Sequence, residues 1–282
     1  MTGTGTQTDP YIVDNWHDLL EKMQEYDVYI ELDPNNKNKI IDMNTVAPSG
    51  IGNISIKFKK LNGNGWTIKN IYCTGNYLFT YEVTTGTKIS ITFENLNIIN
   101  IYHRGSSTNE QATFRSNNNG YPLNFRSCRI SSVAVSSSTI YFAKYVNFYN
   151  CSMNVKFSAT TCNLVVAWNQ YGMCSVKNCD IRVNSPNINY LLGYLNVTDT
   201  KISGMAKKIN KFDVDSRSTF SGLVVDLNTD CTKTINDKSC GLINLEKAPN
   251  LVAGTNMYLV TSEQMINDEY LTSIGFPIFS EG

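Results

Sequence analysis

The segments Phe148-Tyr-Asn-Cys-Ser-Met153 and Val176-Lys-Asn-Cys-Asp-Ile181 share one six-residue pattern, namely apolar, variable, small polar, small or apolar, variable, apolar. The pattern occurs seven times, and successive copies begin 25, 32, 23, 28, 21 and 23 residues apart. A pattern that recurs at this spacing is typical of a repeat architecture. The other copies begin at Ile68, Phe93, Phe125, Val197 and Phe220, and a weaker copy begins at Leu242.

The third position of the pattern determines how the backbone turns. All but one of its occupants are residue types that tolerate the left-handed backbone region, where a β-branched residue would clash. Positions four and six alternate as in a strand, whereas the step from position one to position four breaks the alternation. Each copy therefore predicts a strand, a one-residue left-handed corner and a second strand. The corner residues are Asn70, Asn95, Ser127, Asn150, Asn178, Asp199 and Gly222.

A coil of this length cannot bury its own inward face, so it must stack on its neighbours. We therefore predict an all-β fold, a right-handed parallel β-helix of about seven or eight coils over residues 51–245. Cys128, Cys151 and Cys179 occupy the same position of three copies and should form a column inside the stack, beside the corner residues. An antiparallel β-sandwich is the alternative, but it does not explain a corner that recurs in one frame.

The two ends carry helix signals, and an open end of a β-stack needs a cover. Residues 14–26 predict a short helix capped by Asp14 or Asn15, in an N-terminal cap that spans residues 1–50. Thr261 and Gln264 have capping-box spacing and precede an expected helix over 265–271, in a C-terminal cap that spans residues 246–282.

Composition excludes several classes of function. Lys plus Arg and Asp plus Glu number 24 each, so no basic surface predicts a nucleic-acid partner. No apolar run reaches membrane-spanning length, and the N-terminus lacks the pattern of a secretory signal. The eight cysteines form no CxxC pair, and the two histidines have no metal-ligand spacing with them. We therefore expect reduced thiols, no metal, no cofactor and no membrane partner.

The terminal segments carry a resemblance to a known family. Gly3-Thr-Gly-Thr-Gln-Thr-Asp-Pro-Tyr-Ile-Val13 and the closing MINDEYLTSIGFPI, residues 265–278, resemble a group of short phage and prophage proteins from gut bacteria, described as right-handed parallel β-helix or tail-associated proteins. The resemblance implies a structural or accessory protein of the virion, near the tail, the baseplate or the capsid surface. It implies that the chain folds in the cytoplasm of the bacterial host and has other virion proteins as partners. It brings no catalytic residues.

Many parallel β-helices cut polysaccharide, so a small hydrolase or lyase is the alternative to a non-enzymatic virion protein. Glycoside hydrolysis requires two carboxylates held about 5 to 9.5 Å apart. The candidates are Asp213 and Asp215, with Asp226 or Asp230 on the next coil and Arg217 nearby. The same segment has the composition of an ordinary solvated strand edge, so we predict no catalytic residues.

The wide spacing between the second and third copies predicts an insertion at residues 101–122, and a smaller one lies near 158–173. Loops on a rigid scaffold are common binding sites. We predict that residues of these loops contact a host surface glycan or a partner protein; decorative loops and self-association into a homo-oligomer remain open alternatives. The candidate binding residues are Tyr102, His103, Arg104, Arg115, Tyr121 and Trp168.

Overall fold

The fold is known from a computed structural model. It describes residues 1–82, 89–104, 111–117, 120–135, 140–158, 162–166, 174–212, 218–233, 235, 241–254 and 257–276. In these residues the regular structure is mostly β-strand, and every ladder that joins two strands is parallel. The arrangement is consistent with a parallel β-helix and excludes the antiparallel sandwich.

The strands lie in three columns, and within each column a strand pairs with the strand of the next layer. The first column contains Tyr11–Val13, Tyr29–Leu32, Lys60–Asn62, Ile91–Glu94, Leu123–Arg126, Val146–Tyr149 and Cys174–Lys177. The second column contains Ile40–Asp42, Thr67–Cys73, Asn97–His103, Arg129–Ala134, Ser152–Phe157, Gly241–Asn244 and Met257–Val260. The third column contains Ile54–Ser55, Tyr77–Tyr81, Gln111–Ser116, Ile140–Lys144 and Cys162–Val166.

Three longer strands continue from one column into another. They are Asp180–Leu192, Leu195–Lys211 and Thr219–Asn228. Pairing in the first column extends into residues 1–50, where Tyr29–Leu32 joins it, and pairing in the second column extends into residues 246–282, where Met257–Val260 joins it.

The predicted corner is confirmed in six of the seven copies. Arg126 pairs with both Glu94 and Tyr149, so the residues that follow these three lie above one another. All six corner residues are left-handed, and the alignment continues through the next layers. The φ angles are 51° at Asn95, 51° at Ser127, 54° at Asn150, 51° at Asn178, 48° at Asp199 and 66° at Gly222.

Asn70 does not belong to this ladder, which corrects the assignment of the first copy. Ile68 pairs with Ile98, the last position of the second copy, so the first copy lies one strand further along the coil than predicted. Asn70 is left-handed, with φ of 59°, and it aligns instead with Asn100, whose Nδ2 donates to Asn70 Oδ1 at 3.1 Å. A left-handed residue inside a strand produces the same sequence pattern as a corner, which explains the error.

The interior is built from columns of like residues. Phe93, Phe125 and Phe148 stack in the first column with ring centroids 4.7 and 5.5 Å apart. Cys128, Cys151 and Cys179 are buried and lie in consecutive layers, so the predicted thiol column is confirmed. None of the seven cysteines in the described part of the chain is bridged. A hydrogen bond with Cys151 and burial both raise the pKa of the Cys128 thiol.

The described helices are short. The first, Trp16–Met23, begins after Asn15, whose side chain accepts a hydrogen bond from the Asp18 amide at 3.0 Å. The side chains of Trp16, Leu19 and Met23 on this helix are buried. A four-residue helix, Met43–Val46, follows strand Ile40–Asp42.

The C-terminal helix differs from the expected one. Thr261 and Gln264 form the predicted capping box, with reciprocal hydrogen bonds of 2.9 and 3.1 Å. The continuous helix over 265–271 was wrong, because the chain forms a 3-10 helix, Gln264–Ile266, and then an α-helix, Asp268–Ser273. Asn267 separates the two, since its extended backbone lets its side chain cap the second helix through the Tyr270 amide.

The corner predicts a specific ranking of substitutions at Asn150. Asn150→Val should lower the free energy of unfolding by at least about 1–2 kcal/mol, because a β-branched residue is disfavoured at positive φ. Asn150→Gly keeps the backbone conformation and loses only the 3.0 Å hydrogen bond from Asn178 Nδ2, so it should be the milder change. Urea unfolding measures both. Ser152→Val, at an exposed strand position two residues on, is the control. Equal loss at positions 150 and 152 would contradict the corner assignment.

The thiol column predicts eight free thiols. After denaturation without reductant, a thiol reagent should label all eight cysteines. In the native protein the six buried thiols should react slowly, because burial blocks access of the reagent. At Cys73 and Cys174 burial also raises the pKa to about 12, so little thiolate forms there. A bridged peptide in the mass spectrum of the unreduced protein would refute this.

Candidate functional site

Two of the expected binding residues lie together at the edge of the second column. Tyr102 is 41% exposed, and its ring stacks on Tyr72 of the preceding layer with centroids 5.6 Å apart. The exposed guanidinium of Arg104 lies 3.5 Å from the Tyr72 hydroxyl. The three side chains form a small polar and aromatic surface.

His103 is not part of that surface, which corrects the expectation that it is exposed. Successive residues of a strand point to opposite faces, so a side chain between Tyr102 and Arg104 points inward. It is fully buried, with Nε2 3.0 Å from the Gly75 carbonyl and Nδ1 3.3 Å from Thr113 Oγ1. Burial lowers the pKa of His103, and the hydrogen bond to Gly75 offsets this only in part.

The expected 101–122 insertion is not a single loop. Residues 111–116 form a regular strand of the third column, paired on both sides, and most of its side chains are buried. Arg115 lies on this strand, with its guanidinium 4.5 Å from the Tyr77 ring and 4.0 Å from Glu82. It therefore lies in a different column from Tyr102. The next coil contains the same three strands, so the wide spacing comes from longer connections, residues 104–110 and 117–122, on either side of strand Gln111–Ser116.

The other predicted residues fall elsewhere. Tyr121 is half-buried against the core, and its carbonyl accepts a hydrogen bond from Ser116 Oγ at 2.9 Å. Trp168, Asp213, Asp215 and Arg217 lie outside the described residues. Asp230 is exposed.

Asp226, the next acid considered for catalysis, is held in a polar network. Its carboxylate lies 2.8 Å from Lys247 Nζ and 3.3 Å from Lys201 Nζ, and it accepts a hydrogen bond of 2.8 Å from Asn244. Burial alone would raise the pKa of Asp226, but the bonds from Lys247 and Asn244 and the charge of Lys201 hold it below the usual value. Asp226 is therefore a carboxylate with its oxygens already occupied, unsuited to act as a general acid.

A polar surface lies on the outward side of the second column, and we call it the outer face. Past the corners at Ser127, Asn150 and Asn178, side chains alternate between core and outer side, as in Ser152–Phe157. In-register pairing brings the outward residues of successive layers side by side. The outer face consists of Tyr102, Asn100, Arg129, Ser131, Val133, Ser152, Asn154, Lys156, Asp180, Arg182, Asn184 and Lys201.

A bulge gives the outer face a step. The pairing between strands Asn97–His103 and Arg129–Ala134 shifts at Ser131, so Ile99 and Asn100 together face this one residue. The Asn100 amide donates to Ser131 Oγ at 2.9 Å. Two overlapping hollows of about 430 and 330 Å³ lie beside this step. Both are lined by Asn100, Ser131, Asn154 and Arg182.

The hollows continue along the stack to its C-terminal end. Ser152 and Asp180 also line a neighbouring hollow of about 490 Å³, which reaches Lys201 and Val224. Lys201 and Val224 in turn line a cleft of about 420 Å³ against Leu271 of the C-terminal helix. The four hollows form one track that crosses seven strands, from Asn100 to Leu242, or roughly 29 Å at 4.8 Å per strand.

The chemistry of the two hollows beside the step suits hydrogen bonding to a polyhydroxylated ligand. Amides and hydroxyls both donate to and accept from ligand hydroxyls, and guanidinium groups donate to them. Among the described residues that line the two hollows beside the step, Asp180 is the one carboxylate. The described residues contain no group of three His, Cys, Asp or Glu side chains able to hold a metal ion. No helix in the described ranges is long and apolar enough to cross a membrane.

Comparison with known proteins finds no matching family model, no matching curated protein and no matching solved structure.

Sequence reasoning missed the outer face because it searched for loops. The signal was present in the residues that follow each corner, where polar side chains alternate with apolar ones in Arg129–Ala134 and Ser152–Phe157. The bulge at Asn100 leaves no distinct signal, since an asparagine there resembles a corner.

The buried imidazole predicts a pH dependence of stability. Unfolded histidine binds a proton near pH 6.5 and folded His103 binds one only at lower pH, so stability falls as pH drops below about 6.5. The slope approaches about 1.4 kcal/mol per pH unit. Urea unfolding between pH 8 and 5 should show a weaker dependence for His103→Gln. The exposed His17→Gln variant should behave as wild type. An unchanged slope in the His103 variant would contradict the buried neutral imidazole.

Proposed function

We propose that the protein is a non-enzymatic accessory protein of a bacteriophage virion that holds a host surface glycan along its outer face. The observation that carries the binding role is the track of hollows over roughly 29 Å, whose two hollows beside the step are lined mainly by amide, hydroxyl and guanidinium groups. An extended site on a rigid scaffold suits an extended polymer, because little of the protein has to be ordered on binding.

The proposed architecture is a right-handed parallel β-helix of about seven or eight coils, closed by helical caps at both ends. The three columns of parallel strands support this, and right-handed connections between parallel strands are the rule. The burial of Trp16, Leu19 and Met23 supports the N-terminal cap. A second apolar cluster of Leu242, Val260, Leu271 and Phe276 supports the C-terminal one.

The place on the virion rests on the resemblance of the two terminal segments to phage and prophage proteins. Other virion proteins are the proposed partners, at the tail, the baseplate or the capsid surface. A homo-oligomer is compatible with this role. We propose neither a nucleic-acid partner nor a membrane partner, and no cofactor.

The enzymatic alternative is less well supported by the described residues. Asp226 is tied to two lysines, and Asp180 is the one described carboxylate of the hollows beside the step, with Asp199 as its partner acid only in the neighbouring hollow. Glycoside hydrolysis requires an acid and a base or nucleophile on opposite sides of the scissile bond.

Glycan binding is tested by blocking the hollow of about 430 Å³ beside the step, which Asn154 lines. Asn154→Trp fills its centre without touching the core, so binding to polysaccharide from the host surface should weaken at least tenfold, as measured by biolayer interferometry. Asn187→Trp, a partly exposed asparagine outside the four hollows, should bind as wild type. Equal affinity of the two variants would place the ligand elsewhere.

Purified protein and purified particles test two further parts of the proposal, namely that the protein is not an enzyme and that it belongs to the virion. Purified particles should contain the protein, and incubation of the protein with polysaccharide should release no new reducing ends. Release that is abolished by Asp213→Ala or Asp215→Ala would establish the enzyme instead. Absence of the protein from particles would refute the virion role.

A further inference from the structure

The outer face carries cations that the rest of the fold does not neutralise. Arg129, Lys156 and Arg182 are exposed, and none of them has an ion-pair partner within 4 Å among the described residues. Elsewhere in the second column cations are paired, as in Lys69 with Asp42 at 3.2 Å and Lys201 with Asp226 at 3.3 Å. The formal charge of the whole chain is zero, so this concentration of unpaired charge is local.

The three cations lie around one feature. Arg129 belongs to the layer after the bulge, Lys156 to the next layer and Arg182 to the one after that. Arg129 and Arg182 line one of the two overlapping hollows beside the step, and Lys156 and Arg182 line the other. Asp180 is the single acid among their described lining residues, so the four charges sum to +2.

Unpaired cations around a hollow of hydrogen-bonding groups select an anionic, polyhydroxylated ligand. A guanidinium binds carboxylate, sulfate or phosphate through two parallel hydrogen bonds, and an ammonium binds them as a point charge. The amides of Asn100, Asn154 and Asn184 line the same hollow as Lys156 and Arg182, where they can bind hydroxyls. Neutral glycans would leave three cations without a partner.

We propose, on the basis of the glycan-binding role above, that the ligand is an acidic polysaccharide whose anionic groups bind Arg129, Lys156 and Arg182. The chain runs along the stack, since the track follows the direction in which the layers succeed one another. Cations on three successive layers, each about 4.8 Å apart, match a polymer that carries charge at regular intervals.

A nucleic acid is also a regular polyanion, but the hollow lacks the platforms that single strands use. Base stacking requires free aromatic faces, whereas the described residues that line the two hollows include no aromatic side chain. Tyr72 and Tyr102, at the edge of the face, are stacked on each other.

The test compares ligands that share one backbone and differ in charge. Dextran, carboxymethyl-dextran and dextran sulfate are titrated against the protein at low salt and at 0.5 M NaCl, together with polysaccharide extracted from the host surface and a carboxyl-reduced, desulfated sample of it. The native acidic polymer and both charged dextrans should bind, and plain dextran should not. Binding should weaken strongly with salt, since exposed ion pairs are screened.

The triple variant Arg129→Gln, Lys156→Gln, Arg182→Gln should lose about 10- to 100-fold in affinity for the charged polymers. A matched control replaces three exposed lysines away from the outer face, Lys37, Lys207 and Lys208, with glutamine and should bind as wild type. Circular dichroism establishes that both variants are folded.

The possible outcomes separate the two proposals. If the neutralised host polymer binds as well as the native one and the triple variant is unaffected, glycan binding stands and its acidic character is refuted. If no polysaccharide of any charge binds, both proposals fail. If a DNA oligonucleotide of matched charge binds more tightly than the acidic polymers, the ligand is a nucleic acid and this inference is overturned.

Discussion

One left-handed residue between two strands fixes the course of the chain in successive layers. Asparagine, aspartate and glycine reach positive φ at low cost, so the turn is made in a single residue and the next strand begins immediately. Hydrogen bonds connect the corners of successive layers. Asn178 Nδ2 donates to Asn150 Oδ1 at 3.0 Å, and the Asn150 backbone amide donates to the Lys177 carbonyl at 3.0 Å. Because the corners align, the strands on either side of them align as well.

This alignment determines which side chains of the second column point inward and which point outward. Strand alternation after the corner points every second side chain outward, and register places those side chains in rows. Inward residues past the corner include the thiol column, and outward rows become the outer face. The bulge at Asn100 interrupts the rows once, and the hollows lie beside that interruption. A surface of this kind needs no loop to hold its side chains in place, since the stacked strands position them.

The sequence was sufficient for the corner and the thiol column, because residues that share one frame must share one position in a stack. It was insufficient for Asn70, since a left-handed residue within a strand carries the same composition as one between strands. It also misplaced His103, because the 32-residue spacing predicted an insertion at 101–122, whereas strand alternation buries this side chain. The candidate site was only partly predictable: Tyr102 and Arg104 lie at the edge of the outer face, but its centre depends on pairing between distant layers.

The central claim is that ligand binds across the outer face of the second column, and lysine footprinting tests it most directly. The protein is acetylated briefly with and without saturating acidic polysaccharide, and modification of each lysine is quantified by mass spectrometry. Lys156 lines the hollow, whereas Lys37, Lys207 and Lys208 are exposed elsewhere. The account predicts that ligand protects Lys156 several-fold and leaves these three unchanged. Protection of Lys207 and Lys208 with Lys156 fully reactive would contradict it.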